Sequence, residues 1–322
     1  MANKQLSDHP LIPLDLSGVE HIGVIGECML ELSACDVDSP DLKKMSFGGD
    51  TLNTAIYLAR SGASVHYFTA LGDDIHSNWM IQQWRRAGVQ CEHVEQIAGR
   101  VPGLYMIDTD AKGERSFCYW RDNSPARELF DEREHAEQLF AALAQYELIY
   151  LSGVTLSLYS DTALQRLLDF LTTYRHKGGL VAFDGNYRPR SWVDKGRAQS
   201  VYTRFYRQVD IALPTLEDET QLFALTDATA LFDLLSSFGV SEMVIKQGAQ
   251  GCLLPVDGGL QAVPAIPLED VIDTTGAGDS FNAGYLTARL NGDAAAVAAQ
   301  TGHRYAAQVV RQRGAIVPID VS

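Results

Sequence analysis

Cysteine is scarce in this 322-residue chain, and its five copies are poorly placed to pair. Cys28, Cys35, Cys91, Cys118 and Cys252 are odd in number, widely scattered and free of any C-x-x-C spacing. That pattern excludes a disulfide framework or a structural zinc cluster and fits reduced thiols in a cytoplasmic setting. Basic residues are also outnumbered: 26 Lys and Arg against 41 Asp and Glu leave a formal net charge of −15. A surface of that sign repels nucleic acid and anionic lipid, so neither is an expected partner. An anionic small molecule is still admitted where arginines, backbone N–H groups or a metal ion receive it. No run approaches the roughly 20 apolar residues that cross a bilayer. The opening MANKQLSDHPLIPLDLSG lacks the apolar stretch of a signal peptide. The eight histidines show no H-x-x-x-H spacing, so no metal-ligating set of side chains is expected. No Gly-Lys dipeptide occurs, which excludes a P-loop, and no H-R-D or D-F-G string marks a protein kinase.

What is present is an alternation of short apolar runs with helical periodicity. HIGVIG (21–26), LIYLSG (148–153), LVAFD (180–184), DIALP (210–214) and MVIKQG (243–248) read as strands covered on both faces, as in a parallel sheet. Leu164, Leu167, Leu168 and Leu171 form one helical stripe that ends at Gly178-Gly179. Leu231, Leu234, Leu235 and Phe238 repeat it before Gly239. The apolar Ala306, Val309 and Val310 of the last helix read as core. The expected fold is therefore α/β with right-handed crossovers. Residues 28–47 and 101–121 break the rhythm and read as extra short strands, with a turn at 111–113 around Gly113. They are either an ordinary surface hairpin or a lid or oligomer interface.

The most informative string is DTTGAGDSF (273–281), which follows a strand-like run and opens the helix FNAGYLTARL. Gly276 and Gly278 allow a tight turn that gathers backbone N–H groups at a helix start, where anionic oxygens settle. Asp279 follows in the first turn, placed to accept a proton from an attacking hydroxyl in phosphoryl transfer. The plainer alternative is an aspartate capping its own helix. A dinucleotide-binding reading is weak, because Phe281 stands where G-x-G-x-x-G needs its third glycine.

DTTGAGDSF resembles the C-terminal signature of the ribokinase-like (PfkB) carbohydrate kinases. Gly48-Gly49-Asp50-Thr51-Leu52-Asn53 resembles the same family's Gly-Gly signature, and the likeness extends over about residues 21–318. The resemblance implies one ribokinase-like domain spanning 1–322: a three-layer α/β/α sandwich, a mostly parallel sheet and a small β-sheet lid built from 28–47 and 101–121. It further implies a di-glycine hinge, a sugar bound under the lid, Asp279 as the base, and Gly276, Ala277 and Gly278 as the anion hole.

Within the family, GECMLELS (26–33), GGDTLNT (48–54), PGLYMIDTDAKGERSFCYWRDNSPA (102–126) and DGNYRPR (184–190) are most similar to kinases of 2-dehydro-3-deoxygluconate (KDG). This similarity implies ATP-dependent phosphorylation of the 6-hydroxyl of a sugar acid, whose carboxylate needs a cation. Arg121, on the same strand face as Tyr119, and Arg188, after a strand's carboxyl end, are the candidates. Gly49, Asp50 and Asn53 would meet hydroxyl groups. Tyr105 and Tyr119 either line the lid or merely pack it. Glu31 falls where relatives often carry a sugar-binding aspartate, but its longer side chain keeps it out of the expected contacts. On the nucleotide side, Lys246, Gly248 and Gly251 resemble the K-x-G-x-x-G turn that lies against ATP, joined by Asn186, Arg188, Gly276 and Gly278. Magnesium is implied with ATP, although Thr215 and Asp218 replace the usual N-x-x-E pair. The alternatives are a kinase of a neutral sugar such as fructose or ribose, and a non-catalytic sugar-acid sensor. A homodimer through the lid strands is a further expectation.

Overall fold

The computed structural model describes residues 14–36, 39–109 and 115–321. Its strands, in chain order, are β1 (His21–Ile25), β2 (Met29–Asp36), β3 (Ser39–Gly48), β4 (Ser64–Gly72), β5 (Val94–Ile97), β6 (Leu104–Thr109) and β7 (Arg115–Trp120). They continue with β8 (Leu148–Ser152), β9 (Leu180–Asp184), β10 (Ile211–Ala212), β11 (Glu242–Met243), β12 (Ile245–Lys246), β13 (Cys252–Val256) and β14 (Gly259–Val263). The helices are α1 (Asp50–Arg60), α2 (Ile75–Arg86), α3 (Arg133–Leu143), α4 (Gly153–Leu156), α5 (Asp161–His176), α6 (Lys195–Tyr206), α7 (Leu216–Phe223), α8 (Ala228–Ser237), α9 (Ala277–Leu290) and α10 (Ala295–Val309).

Among the described residues, seven strands form the central sheet in the order β11-β10-β9-β8-β1-β4-β5. Every neighbouring pair is parallel. The strands are apolar on both faces because both are covered. Ile25, Ile149, Leu151, Val181 and Phe183 pack with Leu139, Leu164, Val201, Leu222 and Leu231 from α3, α5, α6, α7 and α8. The alternate residues Val24, Leu148, Tyr150 and Ala182 pack with Leu52, Met80, Leu286 and Ala298 from α1, α2, α9 and α10. The result is the expected three-layer α/β/α sandwich.

Local signals place the helix ends where the sequence puts them. α5 starts at Ser160, whose hydroxyl accepts from the Ala163 N–H at 3.2 Å, and stops before Gly178 at φ +94. Its buried stripe is Leu164, Leu167 and Leu171, with Leu168 on the flank. Gly239, after α8, likewise has φ +88.

Two expectations need correction. The run 243–248 is two short strands rather than one. Glu242–Met243 extends the central sheet beside β10, whereas Ile245–Lys246 pairs antiparallel with β13 in a separate sheet, β12-β13-β14. The helix expected from Phe281 begins at Ala277, so the glycine loop is itself the helix start. The two segments that broke the rhythm form a separate four-stranded mixed sheet, β3-β2-β6-β7, at the place expected for the lid. The expected turn at 111–113 lies outside the described residues. No helix among the described residues is long and apolar enough to cross a membrane, and Cys28, Cys91, Cys118 and Cys252 are free thiols.

Candidate active site

The carboxyl ends of parallel strands, where open α/β sheets bind ligands, gather most of the residues singled out above. Asp184 ends β9, and Asn186 and Arg188 lie on the loop that follows. Asp50 and Asn53 open α1, and Asp279 lies in the first turn of α9. Gly276 is the cap of α9, in the left-handed region at φ +76. A Cβ there would come within 2.8 Å of Ala315, so both backbone angle and space require glycine. Asp273, buried at the loop's entrance, fixes it. Its carboxylate accepts from the Thr275 N–H (2.9 Å), the Thr275 hydroxyl (2.7 Å) and the Gly314 N–H (2.8 Å).

Asp279 is not its helix's cap. Its Oδ2 accepts a hydrogen bond from Asn53 Nδ2 at 2.7 Å, across from α1. Burial, reinforced by the negative charges of Asp50 and Asp184, pushes its carboxyl up to about 8. A carboxyl so raised accepts a hydroxyl proton far more readily than an exposed one.

Asp50, raised mainly by its own burial, accepts from Asn186 Nδ2 at 2.6 Å through Oδ2. Asn186 reaches it from a left-handed backbone at φ +40, a conformation that asparagine tolerates better than most residues. Behind them lies a buried network absent from the sequence reading. Lys246 donates to Asp184 Oδ1 (3.2 Å) and to Asn282 Oδ1 (2.9 Å). Asn282 Nδ2 donates to Asp184 Oδ2 (2.8 Å) and to the Tyr150 hydroxyl (3.1 Å). The Lys246 ammonium is therefore turned inward; beyond it Gly248–Gln250 are exposed, while Gly251 is buried. Both of those glycines have positive φ (+57 and +102).

The two glycines of the lid junction are recesses. A Cβ on Gly48 would collide with the Tyr105 hydroxyl, and one on Gly49 with the Glu27 carbonyl oxygen. Neither has positive φ. On the lid, Tyr105 donates to Glu31 Oε2, and Ser46 donates to Glu31 Oε1 at 2.9 Å. Tyr119 stands opposite Tyr105 with ring centroids 5.9 Å apart. Glu31, left out of the expected contacts, is thus engaged by the lid's own side chains. Arg121 is paired with Glu27, both nearly buried (side chains 15% and 2% exposed). Arg188 shares Asp218 through two bonds of 3.1 Å. Each arginine expected to meet an anionic ligand already holds a resident carboxylate. Glu27, Asp184 and Asn282 were missed, although all three lie within or beside strings quoted above. The strand-end rule would have found Glu27 and Asp184.

The profile of the pfkB family carbohydrate kinases matches residues 19–321. The chain belongs to the PfkB family of carbohydrate kinases. It is 44% identical over 308 residues to the 2-dehydro-3-deoxygluconokinase of Dickeya dadantii (strain 3937), covering 94% of this chain and 98% of that one. The fold matches the crystal structure of 2-dehydro-3-deoxygluconokinase from Thermotoga maritima, with a TM-score of 0.79 at 21% identity over 94% and 97% of the two chains. It also matches a ribokinase II of E. coli solved with ATP and Mg²⁺, with a TM-score of 0.80 at 21% identity over 92% and 94%. The PfkB sandwich and its smaller mixed sheet are those of the ribokinase-like fold, and the activity class is phosphotransfer to an alcohol.

Proposed function

We propose that this kinase transfers the γ-phosphoryl group of ATP to the 6-hydroxyl of KDG, giving KDG 6-phosphate and ADP. The observation that carries this reading is the 44% identity to a KDG kinase across 94% of the chain. The Asn53–Asp279 contact beside the glycine turn of α9 supports the chemistry. In the proposed step the sugar hydroxyl oxygen bonds to the γ-phosphorus, the bond from that phosphorus to the bridging oxygen of ADP breaks, and the hydroxyl proton passes to Asp279. The N–H groups of Gly276, Ala277 and Gly278 receive the charge on the moving phosphoryl group.

In this reading Gly49, Asp50, Asn53, Tyr105 and Tyr119 surround the sugar acid, and Arg121 receives its carboxylate. Arg188 lies between sugar and nucleotide. Asn186, the Lys246–Gly251 turn, Gly276 and Gly278 flank ATP. Magnesium accompanies ATP in this chemistry and neutralises phosphate charge. Asp218 has the hard oxygen donors such an ion takes and remains partly open, its side chain 18% exposed, so it fits a site held largely through water. Lid closure would exclude water from the centre. The outward Met45 and Trp120 of the lid, 39% and 55% exposed, support pairing of two copies through this sheet. An ATP-consuming sugar-acid kinase with free thiols fits the cytoplasm.

The test is ADP release in a coupled assay with ATP and Mg²⁺, comparing KDG with fructose, ribose and gluconate. Selective turnover of KDG is expected. Turnover of fructose or ribose alone would overturn the sugar-acid reading, and silence on all four would favour a sensor.

A further inference from the structure

The buried cation of the site has no assigned role in the chemistry. Lys246 is 7% exposed and sits at the end of β12, with its ammonium between Asp184 of β9 and Asn282 of α9. A Cβ built on Gly278 would lie 3.6 Å from its Nζ, so the ammonium is directly behind the loop expected to hold the phosphoryl group. The network does not stop there. Asn282 reaches the Tyr150 hydroxyl, which lies 3.3 Å from the Thr54 hydroxyl, and that hydroxyl donates to the backbone carbonyl of Asp279 at 3.2 Å. Lys246 is thus wired to both the glycine loop and the base.

We propose that Lys246 is a positioning residue for phosphoryl transfer: its ammonium, clamped by Asp184 and Asn282, holds a fixed positive charge behind Gly278 and beside Asp279. An ion pair placed merely for stability would gain little, since apolar side chains usually serve a buried site as well or better. Fixed charge aimed at a reaction centre is worth more, because it costs no reorganisation when charge develops. The groups facing Asp279 are Asp50 and Tyr57 of α1, Tyr150 of β8, Asp184 of β9 and Lys246 of β12. Among them Lys246 supplies the positive charge, opposing the two aspartates that raise the Asp279 carboxyl.

This inference rests on Asp279 being the base, and the experiment separates the two. The kcat/KM of the full chain for its sugar acid is measured against pH for the wild type, Lys246→Met, Asp184→Asn and the charge-free double variant Lys246→Met/Asp184→Asn. Lys246→Met removes a positive neighbour, so its acidic limb should move to higher pH by about one unit. Asp184→Asn removes a negative one and should move the limb the opposite way. The double variant, with no unpaired buried charge, should fold, return the limb near its wild-type position and keep a kcat lowered about 10²-fold. Limbs that do not move, or that move together, with kcat restored in the double variant would reduce the pair to a structural one and overturn the proposal. If Asp279→Asn retains wild-type turnover, it is the base assignment that fails instead.

Discussion

Replacing Asp279 by asparagine should make the enzyme at once more stable and nearly inactive. Its carboxyl titrates at about 8 instead of the ordinary 3.8, because burial and the charges of Asp50 and Asp184 penalise the ionised form. At about 1.4 kcal/mol per unit, that displacement corresponds to an upper bound of about 5–6 kcal/mol once the group is ionised. The side chain is half-buried rather than sealed, so relaxation and water reduce the figure to about 2–3 kcal/mol. The sign follows from the raised value. The protonated group is tolerated below pH 4, and stability is lost progressively as pH rises from about 4 through about 8. Asparagine keeps an oxygen to accept from Asn53 and never ionises. The Asp279→Asn variant should therefore melt about 3–4 °C above the wild type at pH 8–9, and the gap should close toward pH 4. The same variant should lose about 10²–10⁴-fold in kcat/KM, the usual contribution of a general base. Thermal melts across a pH series, paired with the coupled assay, read both effects. A melting difference that does not change with pH, or an Asp279→Asn enzyme less stable than the wild type at pH 8, would refute the electrostatic account of the site.

Arg121→Ala should raise the KM for KDG by about tenfold or more, consistent with loss of charge-assisted hydrogen bonds, while affecting kcat less. An unchanged KM would remove Arg121 from the carboxylate site. Arg289→Met should act on stability alone. Arg289 bonds Glu242 through two nitrogens at 2.9 and 2.8 Å, with both side chains nearly buried. Breaking that pair should cost about 3–5 kcal/mol in denaturant unfolding, while kcat at 25 °C stays at the wild-type level.

What was legible in the sequence follows from the range over which each interaction acts. The stripe of α5 and its Gly178 stop are local, and they could be read directly. Strands β8 and β9 declare themselves because a strand covered on both faces has no polar face to conceal. The division between β11 and β12 was not legible, since it falls inside the unbroken apolar run Met243-Val244-Ile245 and only the partner strands differ. The pairings that set the charge of the site are longer in range still. Glu27 and Arg121 are 94 residues apart, Lys246 and Asp184 are 62 apart, and Asn186 and Asp50 are 136 apart. Nothing in local spacing announces such pairs. In each pair one partner lies at or just past the carboxyl end of a parallel strand and the other comes from a different element, so the chain must be folded before they meet.

The glycine pair at the lid junction changes how tolerance to substitution should be read. Every missense change at Gly48 or Gly49 puts a side-chain carbon into space already filled by the Tyr105 hydroxyl or the Glu27 carbonyl. A survey of all single variants would mark both positions as intolerant, in the same way as the residues that bind ligand. At Gly48 the cause would be crowding inside the lid sheet, with no debt to the sugar, whereas at Gly49 crowding against the turn after β1 would add to any loss of contact with the sugar.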